Sequence, residues 1–362
     1  MRNAPANNDH NPCESVIRNA IAQSGMIGIG EYMAQCLTGD GGYYRRTHDP
    51  IGTGGDFITA PEISQIFGEL IGLWAVDQWQ KSSAPKPWHL CEFGPGRGTL
   101  MADAIRAAGR AGQMTDAGRI YLLESNPHLR KMQAEKLPAG KPVWINHIDD
   151  LPPEPVVFIS NEFFDAMPVE QIIFRQNNWH SRGVGIDAAN GNLEWTSDPS
   201  AFDTRAIADI MPPISPRSGD IFEYSPISKI IVQSMTRHIQ SYGGAAVIID
   251  YGHTAPGYGS TLQAVKQHQY ADPLQQPGLV DLTCHVDFHA LGQYADMAGL
   301  TPQWMGTQGQ FLIALGLEMR LQQLLAKCGD AQKQTLIDGA KRLTDPDQMG
   351  SLFKVMILSA AS

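Results

Sequence analysis

Charge, paired cysteines and long apolar runs are all scarce in this chain of 362 residues. Charged residues make up 18%, against about 25% in ordinary domains, so the surface must rely on Gln, Asn, Ser and Thr. Lys plus Arg number 27 and Asp plus Glu 37, a formal balance of −10. Without a basic excess there is no electrostatic footprint for a phosphate backbone, so no nucleic acid is expected as a partner. An acidic surface attracts cationic substrates instead. The five cysteines (Cys13, Cys36, Cys91, Cys284 and Cys328) are scattered and form no C-x-x-C pair. That argues against a disulfide framework and against structural zinc. No run approaches the roughly 20 apolar residues of a membrane span. The opening MRNAPANNDHNPCES has no apolar signal core, and Asp9 and Glu14 do not suit an Arg-rich, acid-poor presequence. The expectation from these absences is a cytoplasmic protein without a membrane span.

What is present is an apolar fraction of 43%, enough for a packed core, in a length that suits one elaborated domain or two modest ones. No solenoid repeat occurs. Residues 1–12 are polar and expected to be disordered. Residues 13–85 read as a helical extension with a glycine-rich loop, in which Gly55-Asp56-Phe57 suggests a lid. Within it Thr59-Ala60-Pro61-Glu62 reads as a capping box for a helix reaching about Gln80. From residue 86 to 362 short apolar runs alternate with helical ones, as in a parallel sheet covered by helices. Expected strands are Trp88–Phe93, Arg119–Leu123, Pro142–Ile145, Val156–Ser160 and Ala245–Asp250. Expected helices are Thr99–Ala108, Pro127–Leu137 and Ile227–Tyr242. Period-two alternation around Asn-Gly turns predicts an antiparallel, β-rich insertion at about 169–222. Beyond the fifth strand the reading is a loop from Tyr251 to Asp281, a helix from about Val286 to Ala298, a strand near Pro302–Gly306 and a closing amphipathic helix around Leu312–Lys327.

The first strand runs into Glu92-Phe93-Gly94-Pro95-Gly96-Arg97-Gly98-Thr99 and directly into a helix. Glycines let the backbone turn sharply and approach a ligand, and the helix N-terminus behind them offers free N–H groups. No G-K-[ST] follows, so this is not a P-loop. The spacing is G-x-G-x-G rather than the dinucleotide pattern G-x-G-x-x-G. With Glu92 just before the first glycine, the turn fits S-adenosylmethionine, its methionine part received by Gly94, Gly96 and Gly98. Glu124, ending the second strand, is placed to hold a ribose diol. His147 and Ile148, after the third, are candidates for the adenine side. At the end of the fourth strand, Asn161-Glu162-Phe163-Phe164-Asp165 faces the crevice. Asn161, Glu162 and Asp165 can grip a cationic guanidinium between apolar walls. A sulfonium methyl is already activated, so alignment is the main task and can contribute about 7–11 kcal/mol. His285, His289, Asp281 and Asp287 lie close together in sequence but lack H-E-x-x-H, and no metal is expected. Asp287 suits a helix cap, Cys91 a core position, and His268 and Asp272 the cleft rim or solvated loop.

The sequence resembles the MidA-like class I methyltransferases over nearly its whole length. The resemblance is carried by Gly55-Asp56-Phe57-x-Thr59-x-Pro61-Glu62-Ile63-Ser64-Gln65, by Glu92-x-Gly94-Pro95-Gly96-Arg97-Gly98-Thr99 and by Asn161-Glu162-Phe163-Phe164-Asp165-Ala166. It continues through Asp250-Tyr251-Gly252, Asp272-Pro273-Leu274, Asp281-Leu282-Thr283, His285-Val286-Asp287-Phe288 and Thr307-Gln308-Gly309. It implies a Rossmann-like sheet with helices on both faces, an N-terminal helical extension and added elements, binding S-adenosylmethionine. The family's mitochondrial members serve in assembly of respiratory complex I by protein-arginine methylation. A protein substrate with an exposed arginine is thereby implied as partner. A small-molecule methyltransferase and a cofactor-binding assembly chaperone remain as alternatives, and a nicotinamide oxidoreductase as a third. If the negative balance draws a basic acceptor toward Glu162 and Asp165, raising ionic strength is expected to increase KM for the acceptor. Cofactor affinity, read by calorimetry, should stay unchanged.

Overall fold

The computed structural model describes residues 11–45, 59–111, 118–266 and 269–360. The five apolar runs of the core form parallel strands: β1 (His89–Phe93), β2 (Ile120–Leu123), β3 (Pro142–Ile145), β4 (Val156–Asn161) and β5 (Gly244–His253). β1 and β4 are buried at every residue, as strands sandwiched between helices must be. Two further strands, β6 (Trp304–Thr307) and β7 (Phe353–Ser359), extend the sheet to the order β6-β7-β5-β4-β1-β2-β3, and a two-residue strand, Val286–Asp287, pairs parallel with the end of β5. β7 runs antiparallel to both β5 and β6. The chain leaves β1 toward β2 and β3 on one side and toward β4 and β5 on the other. Strand order therefore reverses between β1 and β4, which opens a crevice at their carboxyl ends.

The helices in chain order are α1 (Pro12–Ser24), α2 (Ile29–Thr38), α3 (Gln65–Lys81), α4 (Thr99–Ala111), α5 (Pro127–Lys136) and α6 (Pro226–Tyr242). They continue with α7 (Phe288–Met297), α8 (Gln308–Ala314), α9 (Leu317–Leu325) and α10 (Asp330–Thr344). On one face of the sheet Phe67, Leu70 and Trp74 of α3 and Met101 and Ala104 of α4 pack on Leu90, Val157 and Val247. The two helices meet closely at Gly72, where a Cβ would lie 2.2 Å from the Ala104 carbonyl oxygen. Buried Glu69 pins the same layer by accepting from Arg106 of α4 and Arg320 of α9. On the other face Val232, Met235 and Ile239 of α6 and Phe288 and Leu291 of α7 cover Phe93, Phe158 and Ile248. Asp287 caps α7 by accepting from the Ala290 N–H at 3.0 Å. Cys91 is buried within β1. Among the described residues no helix is long and apolar enough to cross a membrane.

The insertion forms an antiparallel sheet of Glu170–Arg175, Asn178–Ile186, Leu193–Ser197 and Ile221–Tyr224. Its tight turn is Gln176-Asn177, both left-handed with φ of 51° and 62°, which suits the right-handed twist of a hairpin. Asn190-Gly191 serves only the wider loop that follows. Ile27–Gly28 from the N-terminal region adds a strand to this sheet. Cys13, Ile17, Tyr32 and Met33 of α1 and α2 share one apolar cluster with Val169 and Val184 of the insertion. The N-terminal helices thus close the insertion rather than standing apart from it.

Four expectations are corrected. Thr59 makes no side-chain cap bond; one turn, Ala60–Ile63, ends at extended Ser64, whose hydroxyl accepts from the Ile66 N–H and caps α3. Glu62 cannot close a capping box because its carboxylate accepts from Thr99 Oγ1 at 2.5 Å. The residues beyond Tyr251 hold a three-stranded sheet, Gln263–Lys266, Gln269–Ala271 and Asp281–Thr283, where a loop was expected. Strands of three or four residues are too short to show alternation. The helix expected at Leu312–Lys327 is broken at Gly316, left-handed at φ 90°, and the chain does not close there. β7 follows, buried on both faces and so without period two. Finally, residues 11 and 12, placed in the disordered stretch, begin α1, with Asn11 as its cap. Residues 1–10, the suggested lid at Gly55-Asp56-Phe57, and His268 lie outside the described residues. Because β7 is flanked by β5 and β6, Met356→Ala is expected to cost about 2–5 kcal/mol. The measurement is the shift in denaturant midpoint at unchanged slope.

Candidate active site

The crevice holds a cavity of about 550 Å³. Its floor begins where β1 ends. Gly94, Gly96 and Gly98 all have left-handed backbones, with φ of 57°, 52° and 75°, so a side chain there would strain the turn. At Gly94 a Cβ would also lie 2.9 Å from the Phe163 ring. Glu92, before the turn, is buried, and among the described residues its Oε2 has no hydrogen-bond partner. Burial pushes its carboxyl up to about 8. A buried carboxylate oxygen without a partner, at the mouth of a turn lined by backbone, suits a ligand that brings a cationic amine.

At the end of β2, Glu124 Oε1 accepts from the Asn126 N–H at 2.7 Å and Oε2 from Gln133 Nε2 at 3.3 Å. Burial raises its pKa. Ser125, Asn126 and Leu129 continue the wall. Glu92, Gly94, Gly96 and Glu124 therefore line one cavity. Gly98 is not among the lining residues; a Cβ there would meet Gln133 behind the turn, 3.4 Å from its Cγ. Nor does the structure bring His147 and Ile148 to the wall. His147 is exposed and starts a single turn closed by Asp150, which accepts from the Asn146 and His147 N–H groups. Ile148 faces inward to the apolar cluster beneath α6.

Asn161, Glu162 and Asp165 line the opposite wall, as the sequence indicated. Their loop is shaped by a carboxylate on β5. Asp250 Oδ2 accepts from the N–H groups of Phe163, Phe164 and Asp165 at 3.0–3.2 Å. Its Oδ1 accepts from the Tyr251 N–H. Three converging N–H groups require tight curvature, and Glu162 supplies it with a left-handed φ of 51°. Such a backbone costs a non-glycine residue about 1–3 kcal/mol and is concentrated at functional sites. The Glu162 N–H donates to the Ile249 carbonyl, and its Oε1 accepts from the Ala60 N–H and from Asn161 Nδ2. Burial pushes Glu162 up to about 7 and Asp165 up to about 6. Tyr251 donates its hydroxyl to Asp165 Oδ2 at 2.8 Å. Asp165 Oδ1 and Asn161 Oδ1 are buried without partners among the described residues.

Several lining residues carried no site role in the sequence reading: Tyr44, Tyr251, Asp281, Thr283 and His285. The signal was available for four of them, since Tyr251, Asp281, Thr283 and His285 fall inside the motifs quoted above. Tyr44 had none; its hydroxyl donates to Asp281 Oδ1 at 3.2 Å, and its carbonyl accepts from Asn126 Nδ2. Among the described residues no group of three His, Cys, Asp or Glu is placed to hold a metal.

A largely parallel central sheet with an antiparallel β7, a glycine turn after β1 and an acidic end to β2 define a class I S-adenosylmethionine-dependent methyltransferase. The family model for S-adenosyl-L-methionine-dependent methyltransferases of the MidA-like type matches residues 70–306, and the chain belongs to that family. It is 36% identical to the mitochondrial protein arginine methyltransferase NDUFAF7 of Xenopus laevis, across 92% of this chain and 81% of that protein. Human NDUFAF7 is 33% identical across 98% of this chain and 85% of its own. A Burkholderia thailandensis protein crystallised with S-adenosyl-homocysteine superposes with a TM-score of 0.81 at 27% identity, covering 99% and 95% of the two chains. The protein is thus an S-adenosylmethionine-dependent methyltransferase, and the nicotinamide alternative falls. The cytoplasmic expectation is overturned as well, because these curated relatives are named mitochondrial; it had rested on scattered cysteines, missing apolar runs and the character of a short terminal stretch.

Glu162 and Asp165 both bind their proton more tightly in the folded chain than in the unfolded one. Folding therefore takes up protons between about pH 4 and pH 7, and this pair makes the unliganded protein less stable as pH rises through that window. Glu162→Gln is expected to raise the unliganded melting temperature at pH 7.5, a condition chosen to lie about half a unit above that window, and to leave it nearly unchanged at about pH 4. Melting curves at the two pH values check this.

Proposed function

We propose that this methyltransferase modifies a guanidinium nitrogen of an arginine exposed on a partner protein. One observation carries the reading: Glu162 and Asp165, a pair of buried carboxyls, flank Phe163 on the wall facing the glycine turn. The family resemblance, and relatives named as protein arginine methyltransferases, support it. A subunit of respiratory complex I is the first acceptor to try, following the role of the mitochondrial members.

In this reading Glu92 meets the amino group of the cofactor. Gly94 and Gly96 admit its methionine part, with Gly98 shaping the turn, and Glu124 holds the ribose diol. Ser125, Asn126 and Leu129 take the adenine side in place of His147 and Ile148. When bound, S-adenosylmethionine supplies a methyl group activated by its sulfonium. Glu162 and Asp165 hold the guanidinium through charge-assisted bonds, and the Phe163 ring excludes water and stacks on its plane. Asn161 Nδ2 and the Ala60 N–H fix Glu162 Oε1, which leaves Oε2 for the acceptor. A carboxyl poised at about 7 can bind the cation when ionised and accept the proton that the methylated nitrogen gives up.

The test is incubation of lysate with methyl-labelled S-adenosylmethionine, followed by mass spectrometry of protein and small-molecule fractions. Label on arginine, lost with Gly96→Val and reduced about 10²–10⁴-fold with Glu162→Gln, is the expected result. Label confined to small molecules would replace this reading with the small-molecule alternative. Assembly sustained by a Gly96→Val protein that no longer binds cofactor would favour the chaperone.

A further inference from the structure

Gln133 of α5 is completely buried, an unusual place for a long polar side chain on an otherwise polar helix. Its carboxamide is fully engaged. Nε2 donates to the Gly96 carbonyl at 2.7 Å and faces Glu124 Oε2 at 3.3 Å. Oε1 accepts from Trp144 Nε1 at 2.8 Å. Nitrogen and oxygen of an amide are easily interchanged, but here chemistry decides: an indole N–H can only donate, and a carbonyl and a carboxylate can only accept. Trp144 on β3 therefore fixes the amide so that both its N–H groups point at the cavity's framework.

Gly96 and Glu124 belong to different strand ends, the glycine turn after β1 and the acidic end of β2. Gln133 is a single side chain that touches both. Holding the Gly96 carbonyl fixes the plane of the peptide between Gly96 and Arg97, where left-handed glycine would otherwise be free to rotate. Holding Glu124 Oε2 complements the Asn126 N–H on Oε1, so the carboxylate is clamped from both sides before any ligand arrives.

We propose that Gln133, oriented by Trp144, is the positioning residue that sets the glycine turn and the Glu124 carboxylate in mutual register for S-adenosylmethionine. It acts through those two groups and touches no reacting atom. The inference rests on the cofactor site alone and is independent of the methyl acceptor.

The experiment is calorimetric titration with S-adenosylhomocysteine and with its 2′-deoxyribose analogue, alongside melting curves without ligand. Wild-type protein is expected to prefer the ribose ligand, since Glu124 pairs with its diol. Gln133→Leu is expected to weaken S-adenosylhomocysteine about tenfold or more and the deoxy analogue much less, so that the preference shrinks. Trp144→Phe, which keeps the ring and removes only the donor, is expected to show the same pattern at about three- to tenfold. Gln133→Met keeps the volume and serves where Gln133→Leu does not fold. Affinities within twofold of wild type in these variants would overturn the proposal. Equal weakening of both ligands, paralleled by a lower melting temperature, would overturn it too, since that is what a purely structural glutamine predicts.

Discussion

The carboxylate of Asp250 is what the loop after β4, and the cavity wall it forms, depends on. It sits on β5 with no solvent exposure and accepts three consecutive N–H groups from the loop after β4, plus the next N–H of its own strand. These converging bonds offset the strain of holding Glu162 left-handed. The arrangement is costly as well: burial and the neighbouring Asp165 and Glu162 charges hold the Asp250 carboxyl well above its usual range. One buried acid thus shapes the loop that presents two others. Tyr251, the next residue, extends the control to Asp165 through its hydroxyl.

The same logic runs around the cavity. Glu62, Glu92, Glu124, Glu162, Asp165 and Asp281 all line it. Arg97 lies 3.6 Å from Glu62, and His285 is held below its usual pKa by burial. A wall so rich in acids opposes the unliganded fold and favours ligands that carry positive charge. A sulfonium, an ammonium and a guanidinium are such ligands, so stability given up in the empty cavity returns as selective binding.

Much of this was legible from one chain. β1 to β4 fall within one residue of their expected bounds because each is a short apolar run bracketed by a turn or helix signal. Spacing alone singled out the glycine turn, Glu92 and Glu124, and their place after the fourth strand Asn161, Glu162 and Asp165; all of these except Gly98 line one cavity. The misses have physical causes. β7 and the short strands after β5 show no period. The apparent capping box failed because Glu62 has a distant partner, Thr99. His147 and Ile148 were assigned by strand order, yet a single turn closed by Asp150 directs them away from the cavity. Tyr44 and Gln133 act through contacts far away in sequence.

By itself the sequence determined the central sheet, the glycine turn after β1 and the acids at the strand ends, since these depend on local pattern and backbone preference. Only the tertiary structure decided that Asp250 shapes the Glu162 loop, that α1 and α2 close the inserted sheet, and that Gln133 bonds both the glycine turn and Glu124. Each of those is a contact between segments with no local signature, and its partner exists only once the sheet has brought the strand ends together.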